Sequence, residues 1–150
     1  MIKSKRFEPI HEIASSSAKD LSRSMAEAGR KVTELERQIE QLQGYRDEYV
    51  RNSQTNGAMD AVKLQNYRSF LDRLGEALNQ QQKSLENARD EFEKRRASWS
   101  EKRIEAESLN RVVDRFRKEE QSAADRREQR EGDDAAMRLM LAARRDTGNA

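Results

Sequence analysis

Apolar residues return every seven positions from Leu64 to Phe116 without a slip. One row is Leu64, Leu71, Leu78, Leu85, Phe92, Trp99, Ala106 and Val113; the interleaved row is Tyr67, Leu74, Gln81, Ala88, Arg95, Lys102, Leu109 and Phe116. Only Gln81, Arg95 and Lys102 interrupt the apolar character. A stripe this narrow is too thin for the buried face of a globular-core helix, and it predicts a long coiled-coil strand. A second series lies upstream, with Ala18, Met25, Val32, Ile39 and Arg46 in one row and Leu21, Ala28, Leu35, Leu42 and Tyr49 in the other.

Between Tyr49 and Leu64 the pattern lapses into Ser53-Gln54-Thr55-Asn56-Gly57-Ala58-Met59-Asp60, the strongest turn signal in the chain, with Asp60 suited to cap the following helix. The expected fold is all-α: one domain over residues 1–150, with helix 1 over about 10–52, a turn over 53–60 and helix 2 over about 60–145. The two helices fold back as an antiparallel coiled-coil hairpin. The rows predict a register. Arg46 faces Tyr67, Leu42 faces Leu71, Ile39 faces Leu74, Leu35 faces Leu78, Ala28 faces Leu85, Leu21 faces Phe92 and Ala14 faces Trp99, around a turn centred between Asn56 and Gly57. Small residues then meet large ones, as a seam of constant width requires. Pairing is expected to end near His11 and Lys102. Leu109, Val113, Phe116 and the later Met137, Leu139, Met140 and Leu141 are left on an unpaired overhang that frays, self-associates or docks elsewhere. Gly132-Asp133-Asp134 is a weak point that would set off a separate short helix, and Thr147-Gly148-Asn149-Ala150 is expected to be loose.

Composition agrees with a solvated rod. Only 34% of residues are hydrophobic and 39% are charged, a balance that leaves disorder or long narrow-seamed helices, and periodicity selects helices. Acids and bases alternate along the chain and net to +2, which argues against the one-signed stripe of a nucleic-acid binder. With no cysteine, thiol chemistry is excluded. No apolar run reaches the ~18 residues of a membrane span, and the first residues lack the apolar core of a signal peptide, so a cytoplasmic protein without direct membrane insertion is expected.

Chemistry is sparse. His11 is the lone histidine, with no nucleophile beside it and too few ligands for zinc. Glu119-Glu120 belong to a solvated face where nothing raises a carboxylate pKa, and the six glycines form no phosphate loop. No enzyme, cofactor or metal is expected. At the seam polars Arg95 and Lys102, long stems can cross a small residue and reach water.

The aromatics say more. Tyr45 and Phe70 fall beside the seam. Gln38, Leu42, Tyr45 and Tyr49 on one helix step by the same intervals as Phe70, Leu74, Ala77 and Gln81 on the other. Both quartets line one flank near the turn, either widening the core or offering a protein-binding patch. The stretch Leu42-Gln43-Gly44-Tyr45-Arg46-Asp47-Glu48-Tyr49, followed across the turn by Asn66-Tyr67-Arg68-Ser69-Phe70-Leu71, resembles the flagellar FliJ family. The resemblance implies a coiled coil similar to the central stalk of rotary ATPases. It would be a non-enzymatic part of the flagellar type III export apparatus, peripheral at the inner-membrane base of the flagellum. Its partners would be the hexameric export ATPase and the cytoplasmic linker of the membrane export-gate protein, with export chaperones a further class. Carried over, Gln38, Leu42, Tyr45, Tyr49, Phe70, Leu74, Ala77 and Gln81 become the gate-binding surface. Arg103, Leu109, Arg111, Val113, Arg115, Phe116 and Arg117 are the candidate for insertion into the ATPase ring. The rival expectations are the stalk of a virulence secretion system and a structural coiled coil that dimerises through its overhang.

Overall fold

The computed structural model describes residues 2–55, 57–58 and 60–148. The described chain holds two α-helices, α1 over Lys3–Thr55 and α2 over Ala61–Gly148. The heptad rows are the buried rows. Every member in α2 is buried or half-buried except Leu64, and every member in α1 except Arg46. Burial continues N-terminally at the same spacing through Ala14, His11, Phe7 and Ser4.

α1 starts seven residues earlier than the pattern predicts and carries Pro9 inside it. A proline beyond the first turn removes one backbone hydrogen bond and costs up to about 3 kcal/mol in a helix interior. The contacts made by Ser4, Phe7 and Glu8, described below, offset that cost. α2 runs unbroken through Gly132-Asp133-Asp134 and up to Gly148, so no separate terminal helix forms. Of the expected loose tail, Asn149 and Ala150 lie outside the described residues. So do Asn56 and Met59 of the predicted turn.

Residues 17–102 form one compact unit that contains the turn. Within it α1 and α2 pack antiparallel as a hairpin. Asp60 caps α2 as expected, accepting the Lys63 N–H at 2.8 Å through Oδ1. Gly57 has φ +77°, a left-handed conformation that favours glycine. At the end of α1, the Ser53 hydroxyl donates to the Val50 carbonyl at 2.8 Å and Thr55 to Asn52 at 3.0 Å, occupying carbonyls of the last turn. The core is built on Ile39, Leu78 and Leu85, with Val32, Leu35 and Leu42 packed against it.

The register differs from the predicted one by about a heptad. The predicted pairing sets Ala28 against Leu85 and Leu21 against Phe92. In the structure the Phe92 ring lies against Gly29, where an added Cβ would sit 3.4 Å from Cε2. Glu36 reaches Arg89 at 3.2 Å, and Arg95 donates to the Ser24 carbonyl at 3.1 Å, both displaced in the same direction. A seven-residue slide leaves every a-against-d layer formally intact, so periodicity alone does not choose between the two registers. The observed one seats the large Phe92 ring beside a residue with no side chain. It also gives seam Arg95 a backbone acceptor across the interface, with Glu91 at 3.1 Å as a second partner.

Residues 2–16 and 103–148 belong to a second compact unit. Here the two segments pair where an unpaired overhang is predicted. The Phe7 and Phe116 rings meet at 5.3 Å between centroids, Val113 is 1% exposed, and Ala106 is buried. Beyond Glu120 every described residue to Gly148 is exposed, so the overhang is real but shorter than expected.

Candidate protein-binding surfaces

The flank near the turn is built around an aromatic cluster contributed by both helices. Tyr49 of α1 stacks on Tyr67 of α2, with centroids 5.2 Å apart and planes 16° from parallel. It also meets Phe70 at 4.3 Å in a tilted arrangement. Tyr67 is a member of the predicted seam row, so the seam supplies the floor of this cluster. Pairs of this geometry contribute about 0.5–1.5 kcal/mol beyond area burial and fix ring positions.

The eight flank residues are not equivalent. Leu74 is buried in the seam at 9% exposure, and Gln38, Leu42, Tyr49, Ala77 and Gln81 are half-buried. Tyr45 is the outward one, 58% exposed, while Phe70 keeps 37% of its surface in water. Gly44 beside Tyr45 has open space around it. Tyr49 and Leu74 therefore widen or fill the core, and Tyr45 with the outer edge of Phe70 presents aromatic surface. Gln38 and Gln81 face a groove that continues along the same hairpin past Leu35, Lys31 and Ala88. The Gln81 Oε1 is buried there without a hydrogen-bond partner, a seam polar that long-stem arguments do not cover.

The second candidate set lies in the other unit and is held from behind. Val113 is sealed, Leu109 is half-buried, and half-buried Phe116 carries Phe7 against its ring. Lys3 Nζ and Arg115 Cζ each stand 5.6 Å from the Phe116 centroid, within cation–π range. Arg117 pairs with Glu8 of α1 and sits 3.9 Å from Asp114. Arg103 reaches Glu107 at 3.7 Å, and Arg111 and Arg115 are exposed. The pairing is closed by Glu120, which accepts the Ser4 N–H at 3.0 Å and the Ser4 hydroxyl at 2.6 Å. These bonds from Ser4, in the first turn of α1, hold the Glu120 carboxyl below its ordinary range, assisted by Arg117. Sequence reasoning placed Glu119-Glu120 on a solvated face and missed this contact. The signal available was Ser4 standing seven residues before His11 and fourteen before Ala18, in the same row.

Among the described residues no group of histidine, aspartate and glutamate is gathered in a way that would hold a metal ion. No described helix is long and apolar enough to cross a membrane. The family model described as "Flagellar FliJ protein" matches residues 3–145. No curated protein and no solved structure matches the chain.

Proposed function

We propose, from the premise that the chain belongs to the flagellar FliJ family, that it acts as a non-enzymatic stalk between the export ATPase ring and the membrane export gate. Membership makes it a protein of flagellar type III export; the stalk role, its partners and its place at the cytoplasmic base of the flagellum are our reading. The observation that carries this reading is Tyr45. An aromatic side chain with 58% of its surface in water stands on a flank whose neighbours, Tyr49, Tyr67 and Phe70, are locked in a cross-helix stack. A rigid platform with a protruding tyrosine suits capture of a partner segment, since little side-chain freedom is lost on binding.

In this reading Gln38, Leu42, Tyr45, Tyr49, Phe70, Leu74, Ala77 and Gln81 form the gate-facing flank. Tyr45, Phe70 and the two glutamines touch the partner, and Tyr49 and Leu74 hold them in place. The ring-facing surface comprises Arg103, Arg111, Arg115 and Arg117, backed by Leu109, Val113 and Phe116. Its cations suit an acidic lining, and the packing beneath them limits the entropy they lose.

Pull-down of the full chain against the soluble part of the gate protein and against the export ATPase tests both surfaces. Tyr45→Ala with Phe70→Ala should weaken gate capture at least about tenfold and reduce swimming, with helix content unchanged. Arg111→Ala with Arg115→Ala should weaken ATPase capture and spare the gate. Normal motility in the tyrosine–phenylalanine double variant would refute the flank assignment. Equal loss of both partners in the arginine variant would refute the ring assignment.

A further inference from the structure

From residue 121 to 148 α2 is exposed on all sides, yet it carries Met137 at 62%, Leu139 at 72%, Met140 at 67% and Leu141 at 51% exposure. A lone helix without packing is marginal in water, and four large apolar residues gathered within five positions call for a cover. The sequence around them reads Asp133-Asp134-Ala135-Ala136-Met137-Arg138-Leu139-Met140-Leu141-Ala142-Ala143-Arg144-Arg145. Read outward from Leu139, beyond the unlike pair Arg138 and Met140, it matches itself in size and opposes itself in charge. Ala135 and Ala136 mirror Ala143 and Ala142, Met137 mirrors Leu141, and the two aspartates mirror the two arginines.

We infer that this segment is a self-association site, where a second copy of the chain docks antiparallel about a two-fold axis level with Leu139, whose own side chain lies on the opposite face of the helix and stays in water. Asp134, Met137, Leu141 and Arg144 are spaced three, four and three residues apart, so they share one helical face. They also continue the heptad phase of the seam through Phe116 and Glu120. In an antiparallel pair, a positions layer against d positions. Met137 of one copy therefore packs on Leu141 of the other, and Asp134 meets Arg144. The two-fold repeats each contact, as an isologous interface requires. Met140, on the edge of the face, meets its own equivalent at the axis. Arg138 is the only like-charge meeting, and Asp134, one turn before it, is placed to neutralise it.

The occupant is a second copy because the charge pattern selects it. A parallel pair would set aspartates against aspartates, and a lipid surface would favour cations without Asp133 and Asp134 beside the apolar patch. Thirteen residues make a short interface whose outer layers are exposed ion pairs. The dimer is therefore weak, concentration-dependent and weakened by salt.

Sedimentation velocity of the full chain over micromolar to millimolar concentrations should show the mass rising from 17.5 kDa towards its double. M137E with L141E should raise the dimer Kd at least about tenfold. R144D should do likewise, and adding D134R should restore the dimer. Below the dimer Kd, where every copy is a monomer, the circular dichroism of each variant should match that of the native chain. Because the chain has no cysteine, M140C alone should form a disulfide-linked dimer on oxidation, and R144C should not. A native chain that stays monomeric at every concentration would overturn the inference. So would R144C crosslinking as fast as M140C, or a charge swap that fails to restore the dimer. Each of these outcomes is separable from the gate and ATPase pull-downs, which read other residues.

Discussion

Val113 offers the sharpest test of whether α2 is paired beyond residue 102. Among the described residues it is the most deeply buried large side chain, 1% exposed, in the unit where Phe7 meets Phe116. Val62, on the same helix near the turn, is 70% exposed and serves as an internal control. Val→Ala removes two methyl groups, each worth about 0.8 kcal/mol when buried, so the transfer loss at Val113 is about 1.6 kcal/mol, and any unfilled cavity adds to it. Alanine is also the better helix former by a few tenths of a kcal/mol, but this gain is common to both sites and cancels in the comparison. Val113→Ala should therefore be about 1.5–2 kcal/mol less stable than Val62→Ala, with Val62→Ala near or slightly above the native chain. Urea unfolding followed by far-ultraviolet circular dichroism measures the difference. Native-state amide exchange should locate the loss in residues 4–14 and 103–120. Equal stability of the two variants would mean that Val113 has no partner, and the pairing of Phe7, Ser4 and Glu8 with α2 would fall with it.

The register is testable by crosslinking. Ala28→Cys with Phe92→Cys should oxidise readily and Ala28→Cys with Leu85→Cys should not, because seven helical residues span about 10.5 Å and a disulfide tolerates a Cα separation of about 7 Å at most; the reverse preference would restore the predicted pairing. The Glu120 pKa is lowered by the Ser4 bonds, so its contribution is complete above the ordinary glutamate value of 4.5 and is lost as pH falls through the depressed value. Below that pH the first turn of α1 should fray, as read from the Ser4 amide resonance, and Glu120→Gln should abolish the step. Gly57→Ala should cost about 1 kcal/mol because φ is positive there, whereas Gly132→Ala, helical and open, should stabilise α2 by up to about 1 kcal/mol. Thermal melts that rank the two glycine variants the other way would contradict both local conformations.

Much of this molecule follows from where its apolar residues stand. The seven-residue rows identify two helices and the face each buries, because only a helix brings such positions to one side. The Ser/Asn/Gly cluster and Asp60 mark the reversal, because those residues satisfy helix ends and tolerate left-handed backbone. The meeting of Tyr49 with Phe70 was legible, since equal spacings on the two helices bring their quartets towards one side. The register was not legible: a repeat of seven looks the same after a slide of seven, and only the fit of Phe92 beside Gly29 and of Arg95 onto the Ser24 carbonyl chooses between slides. The division of labour on the flank was equally hidden. Tyr49 and Tyr45 differ by four positions on one helix, and it takes the opposing rings of Tyr67 and Phe70 to make the first a packing residue and leave the second in water. The extent of α1 was hidden for the same reason. Pro9 argues locally for a later start, and the contacts that outweigh it come from residues more than a hundred positions away.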